Sequence, residues 1–185
     1  MSEARGKSER PSELSSPAFT YGLAALAAVL FGAFVLPRFG RGLEGKPAPD
    51  FALPVIAGGE PGARVRLSEQ RGKPILLDFW ASWCSPCRAQ TKVLQSFTST
   101  PEGKGLVVLG VNVSDEPAAA ERYLAAVKPP WLVLGDQEGI ANLAYRVEAL
   151  PTLVAIDRNG RVFAVRRHFV PEQELSALVA AMASD

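Results

Sequence analysis

Residues 74–87 constrain this chain more than any other stretch. Pro74-Ile75-Leu76-Leu77-Asp78-Phe79-Trp80 is a near-continuous apolar run, the pattern of a strand covered on both faces. Trp83-Cys84-Ser85-Pro86-Cys87 follows at once, and the residues from Pro86 to Ser99 read as a helix. A buried strand that feeds directly into a helix commits the chain to an α/β arrangement. The same junction places the first thiol on a helix N-terminus, where unpaired N–H groups and the helix dipole favour thiolate over thiol. Cys84 and Cys87 are the only two cysteines in 185 residues. At this spacing their sulfurs can close a small ring and open it again, and the thiolate is the species that attacks disulfides. The pair therefore reads as a redox site. Two plainer readings stand beside it. Half of a zinc site would need two further ligands, and the chain offers one distant histidine, His168, plus carboxylates. A permanent structural bridge over so short a loop would constrain little of the unfolded chain.

The pattern beyond the motif continues the alternation of strand and helix. Residues 64–67 read as a short strand, with Ser68 as the cap of the turn that follows. Residues 106–113 form a second buried strand. Ser114-Asp115-Glu116-Pro117 resembles a helix start, and that helix runs to Val127 before Pro129-Pro130. Residues 131–134 read as a short strand and 138–145 as a short helix. Residues 152–156 and 161–165 form a hairpin around Asp157-Arg158-Asn159-Gly160, and a last helix starts at Pro171 and reaches Met182. The expected architecture is a central mixed sheet flanked by helices, with parallel pairing early and an antiparallel hairpin late.

The N-terminal part is of a different kind. Residues 1–18 are polar and rich in Ser, Glu, Arg and Pro, the composition of a disordered tail. Residues 19–36 carry no charge. As a helix they would extend roughly 27 Å, close to the ~30 Å hydrocarbon core of a bilayer. A core helix of that length would show a polar face, and this segment has none. It reads as a membrane-spanning signal anchor; the competing reading, a cleaved signal peptide, calls for a shorter apolar region and a better cleavage site than Gly40-Arg41-Gly42. Basic residues flank the segment equally, Arg5, Lys7 and Arg10 before it and Arg38, Arg41 and Lys46 after it, so charge does not orient it. Residues 37–47 read as a linker and 48–185 as the folded domain. With 20 basic and 19 acidic residues and no basic stripe interleaved with aromatics, nucleic acid is not an expected partner.

Two further features carry chemistry. Asp78 interrupts an otherwise apolar strand that leads into the cysteine motif. Burial would raise its pKa, and from there it could accept or relay the proton of Cys87; the plain alternative is a strand-end Asp that reaches water. Leu150-Pro151-Thr152 opens the strand at 152–156. A proline lacks an N–H and suits such a position, in either the trans or the cis form.

Together these stretches resemble the thioredoxin superfamily, and within it the membrane-anchored TlpA/ResA-like thiol-disulfide oxidoreductases. The resemblance rests on Pro47-Ala48-Pro49-Asp50-Phe51, on Leu67-Ser68 through Gly72-Lys73-Pro74-Ile75, and on Leu77 through Cys87. Tyr145-Arg146-Val147, Leu150-Pro151-Thr152 and Ile156-Asp157-Arg158-Asn159-Gly160 complete it, in the family's order over residues 47–185. It implies a thioredoxin-like fold, a cis peptide before Pro151 and a catalytic domain on the extracytoplasmic (periplasmic) side of the cell membrane. It implies that Cys84 attacks and Cys87 resolves, with Asp78 assisting. It also implies a substrate platform of Leu150, Pro151 and Thr152 with Trp83 covering one side. The chain departs from the pattern in two ways: many TlpA-like members carry Asn at the position of Asp78, and the lysine that thioredoxins place near that acid is replaced by Gly110 or its neighbours. Ser85 and Pro86, between the cysteines, bring neither positive charge nor imidazole, which argues for a reducing couple. Expected targets are disulfides in envelope proteins, such as those met in cytochrome c maturation or copper-site assembly. Expected electrons come from a membrane donor of the DsbD/CcdA type. No cofactor beyond the Cys84–Cys87 pair and no metal is called for. The alternatives are a disulfide-forming oxidase with the same site and a redox-inactive, membrane-tethered binding or chaperone module.

Overall fold

Alternation of apolar and polar residues resolves into one seven-stranded mixed sheet in the computed structural model, which describes residues 42–183. The strands are β1 (Ala52–Ala57), β2 (Arg64–Arg66), β3 (Ile75–Trp80), β4 (Val107–Asn112), β5 (Leu132–Gly135), β6 (Thr152–Ile156) and β7 (Val162–Arg166). The α-helices are α1 (Ser85–Thr98), α2 (Pro117–Val127), α3 (Ile140–Tyr145) and α4 (Glu172–Ala183). The order across the sheet is β2-β1-β5-β4-β3-β6-β7. β3, β4 and β5 run parallel, while β6 pairs antiparallel with β3 and β7 antiparallel with β6. The expected parallel pairing and late hairpin are both present.

β3 is flanked on both edges and covered on both faces, and all six of its residues are buried. Its side chains alternate between two cores, as the pleat requires. Ile75, Leu77 and Phe79 join Leu109, Val111 and Tyr145 on one face. Leu76 and Trp80 join Leu94 and Phe97 of α1, Leu124 of α2 and Leu175 of α4 on the other. Each such side chain removed from water contributes about 1.5–3 kcal/mol, which fixes the register of β3 and hence the point where the chain leaves the sheet. That point is the C-terminal end of three parallel strands, where the loops that carry the site gather.

Several local expectations differ from what forms. β1 is absent from the sequence reading, because Pro54 interrupts its apolar run; it lies second from the edge, paired antiparallel to both β2 and β5. Gly58, which follows β1, has φ +79° and sits against the Trp131 carbonyl, so close that no Cβ fits there. Ser68 does not cap its turn; its N–H and hydroxyl both donate to Asp50, at 2.9 and 3.0 Å. Burial of Asp50 would raise its pKa, but these two donations and Arg66 outweigh it and hold the carboxyl below its ordinary value. Residues 43–47, read as linker, lie along β7: Gly45 donates to the Val162 carbonyl at 2.7 Å and Val162 donates back to Lys46 at 2.9 Å. The domain thus starts near Leu43, ahead of the expected 48. The tail at 1–18, the expected membrane span at 19–36 and the start of the linker lie outside the described residues. Among the described residues no helix is long and apolar enough to cross a membrane.

Candidate active site

Cys84 leaves β3 in an extended conformation and serves as the N-cap of α1, with Pro86 in the first turn where a missing N–H costs nothing. Its Sγ accepts the Cys87 N–H at 3.2 Å. The two cysteines are joined as a disulfide. Both cysteines are buried, Cys84 at 4% exposure and Cys87 at 1%. Reduction would leave Sγ of Cys84 facing the N–H groups of the first turn, the environment that stabilises a thiolate. Ser85 and Pro86 are exposed and uncharged.

The Leu150–Pro151 peptide is cis, as the resemblance implied. Beside it runs a groove of about 220 Å³ lined by Trp83, Val113, Ser114, Val147, Glu148 and Leu150, among others. Trp83 is 63% exposed, and its indole N–H donates to the Ser114 carbonyl at 2.9 Å, which holds the ring as one wall. Trp83 and Leu150 are therefore brought together as expected. Thr152 is not part of that surface: it is fully buried, and its hydroxyl donates to the Ala149 carbonyl at 2.7 Å. It shapes the proline turn from within.

Asp78 points to the α1 face of the sheet, 2% exposed, and its Oδ1 has no hydrogen-bond partner. Desolvation pushes its carboxyl up to about 7. Its neighbour on β4 is Gly110, so no lysine stands opposite it. A Cβ on Gly110 would lie 3.3 Å from Trp80 Nε1 and 3.4 Å from Trp131 Nε1, and the two indoles close over the space a side chain would fill. Asp78, Thr91 and Tyr123 line a cavity of about 10 Å³, a volume on the scale of one water molecule. No hydrogen bond joins Asp78 to either cysteine. On the cysteine side of that cavity, Thr91 donates to the Cys87 carbonyl at 3.1 Å and Tyr123 donates to Thr91 at 3.2 Å.

Sequence reasoning missed the polar contacts that hold the redox loop. The Asp115 carboxylate accepts the Ser82 N–H and hydroxyl, the Asn112 amide and the Glu116 N–H. Arg88 donates twice to the Ser82 carbonyl, at 3.0 and 2.7 Å, and lies over the Tyr123 ring. Asp115 was read only as part of a helix start; the side chain that caps α2 is Glu116, accepting from Ala119 at 2.8 Å. A polar Ser82 beside an apolar strand was the available signal, but nothing local names its partner 33 positions away. His168 is exposed and lies 3.5 Å from Glu174, away from any role assigned to it.

Known proteins are similar to this chain. Residues 43–182 match the Redoxin family model. The thiol-disulfide oxidoreductase ResA of Geobacillus kaustophilus is 33% identical over 118 residues, covering 64% of this chain and 66% of that protein. The thiol:disulfide interchange protein DsbE of Pseudomonas fluorescens biotype C is 36% identical over 117 residues, covering 63% and 62%. The chain thus spans about two thirds of the length of these relatives. A Chlorobium tepidum chain described as a DsbE thiol:disulfide interchange protein superposes with a TM-score of 0.67 at 35% identity, covering 75% of this chain and 96% of that one. With Cys84 capping α1, a Cys84–Cys87 disulfide, a cis peptide before Pro151 and a match over residues 43–182, the chain belongs to the Redoxin family, among the ResA- and DsbE-like thiol-disulfide oxidoreductases of the thioredoxin superfamily.

Proposed function

We propose that this chain is a membrane-anchored disulfide reductase whose catalytic domain faces away from the cytoplasm. The observation that carries the chemistry is the Cys84–Cys87 pair at the start of α1, with a groove walled by Trp83 and Leu150 beside it. In the reduced protein the Cys84 thiolate attacks one sulfur of a substrate disulfide. A Cys84–substrate disulfide forms, and the other substrate sulfur leaves as a thiolate that takes up a proton. Cys87 gives up its proton, with the buried Asp78 carboxylate as the acceptor, and attacks Sγ of Cys84. The Cys84–Cys87 bridge closes, and the second substrate sulfur leaves as a thiolate that takes up the proton given up by Cys87. Two electrons and two protons pass to the substrate. The groove between Trp83 and Leu150 receives the chain flanking the substrate sulfur.

Three observations support direction and place. Ser85 and Pro86 supply no charge that would favour the Cys84 thiolate further and make the couple oxidising. The uncharged segment 19–36 has the length and composition of an anchor. The ResA and DsbE relatives are named as a thiol-disulfide oxidoreductase and a thiol:disulfide interchange protein, which supports protein disulfides as the substrate class; the targets in this reading are envelope disulfides, including those of cytochrome c maturation or copper-site assembly. A membrane donor of the DsbD/CcdA type would re-reduce the pair. The test is insulin reduction by the full chain in detergent, paired with equilibration against glutathione. A reductase lies on the reducing side of the glutathione couple and turns insulin over; a pair well on its oxidising side makes the protein a disulfide-forming oxidase.

A further inference from the structure

Ser82 lies two positions before Cys84, 6% exposed, and every polar group it carries is held from outside its own loop. Its N–H and hydroxyl go to the two oxygens of Asp115, the hydroxyl at 2.8 Å. Its carbonyl accepts both donors from Arg88, one turn into α1. Asp115 is fixed in turn by Asn112 at the end of β4 and by the Glu116 N–H, each at 2.9 Å. One position before it, Ser114 takes φ +51°, in the left-handed region that costs a non-glycine residue on the order of 1 kcal/mol. The Ser114 carbonyl meets the Trp83 indole. The loop between β3 and α1 is thus fastened to the loop between β4 and α2 at two adjacent residues, immediately ahead of the attacking sulfur.

We infer that Asp115 is a positioning residue of the redox site: by gripping Ser82 it keeps Sγ of reduced Cys84 on the N-terminus of α1. While the disulfide is closed, Cys87 itself restrains Cys84. When the bridge opens that restraint is gone, and the Ser82–Asp115 contacts, beside the Cys84 backbone bonds to Ala81 and Arg88, become a tie from outside the loop that keeps the sulfur facing the first-turn N–H groups. The inference rests on Cys84 being the attacking thiol. Charged and titratable groups around this end of the sheet are Asp78 on β3, Arg88 on α1, Asp115 and Glu116 before α2, Tyr123 on α2, the buried Asp136 after β5, whose N–H donates to the Asn112 carbonyl, and Glu148 ahead of the cis-proline.

Charge and position act with opposite signs here, which makes the inference testable. Replacing a nearby carboxylate by a neutral amide would, through charge alone, make the Cys84 thiolate easier to form. Loss of the grip makes it harder, because the sulfur leaves the helix terminus. The experiment is the pH profile of Cys84 alkylation in the freshly reduced full chain, for wild type, Asp115→Asn and the charge-neutral Ser82→Ala. Tryptophan fluorescence in urea confirms that each variant is folded. The expected result is an upward shift of the alkylation midpoint by roughly one pH unit in Asp115→Asn, a tenfold loss of thiolate at a pH below both midpoints. Ser82→Ala shifts it in the same direction by about half as much, one of its two Asp115 contacts being left. A folded Ser82→Ala with an unmoved midpoint, or Asp115→Asn with a lowered one, overturns the positioning role while leaving the reductase reading intact. A wild-type Cys84 that alkylates no faster than glutathione overturns both.

Discussion

Asp78 gives the sharpest quantitative expectation, because the same burial that suits it to proton transfer weakens the fold. Its carboxyl has an ordinary value of 3.8 in the open chain and is pushed up to about 7 in the folded domain by desolvation. Between those values the folded state holds a proton that the unfolded state has lost, so stability falls as pH rises. The penalty is absent below about pH 4, grows through the interval and is complete above pH 7. At about 1.36 kcal/mol per unit, a rise from 3.8 to about 7 amounts to roughly 4 kcal/mol at full ionisation. Asp78→Asn keeps the shape and removes the titration. The variant should be more stable than wild type at pH 8 by up to ~4 kcal/mol, with the gap closing toward pH 4. Urea denaturation of the oxidised protein, followed by tryptophan fluorescence, measures it: all three tryptophans, Trp80, Trp83 and Trp131, lie in the folded domain. Equal m-values in the two proteins confirm that the comparison is of stability alone. A stability gap that does not change between pH 4 and pH 8 would refute the claim that Asp78 is ionised at the expense of the fold.

Three other outcomes follow from the geometry. The resolving step, read as release of substrate from the mixed disulfide, should slow as pH drops below about 7, where Asp78 is already protonated and cannot accept from Cys87; in Asp78→Asn that step should be slower by about 10²-fold at neutral pH and lose its inflection, in stopped-flow measurements. Leu150→Asp should raise KM for protein disulfides severalfold with a small change in kcat, since it places a charge in the groove beside Trp83 and leaves both sulfurs untouched. Gly58→Ala should cost about 1–3 kcal/mol in the same urea assay, because φ +79° and the Trp131 carbonyl leave no room for a methyl group; a neutral result would show that the turn after β1 relaxes freely.

What could be read in advance depended on whether the determining contacts were local. β3 and α1 announced themselves through a strand-like apolar run, a Cys-x-x-Cys junction and a proline at the helix start, and each lies where the pattern put it. The late hairpin was legible for the same reason, its turn carrying Asn159 and Gly160. The resemblance to thioredoxins placed Gly110 or its neighbours near Asp78, and Gly110 is the residue paired with it. β1 was not legible: Pro54 reads as a breaker, and the strand persists because its two edges are paired by β2 and β5, partners remote in sequence. The burial of the Thr152 side chain was not legible, because its side of the strand is decided by the turn at Pro151, which sends the hydroxyl back to Ala149. The Ser82–Asp115 contact was invisible for a like reason, since only the convergence of β3 and β4 at their C-terminal ends brings those residues together. Chemistry carried by neighbouring residues was written plainly; chemistry held by the fold was not.

The whole account turns on which sulfur meets the substrate. The most direct measurement is to incubate reduced Cys87→Ser with a disulfide-bonded peptide at neutral pH and map the adduct by mass spectrometry. The account predicts a stable mixed disulfide on Cys84, formed faster than glutathione reacts with the same peptide and not released on standing. Failure of Cys84 to capture the peptide in the folded variant would contradict it.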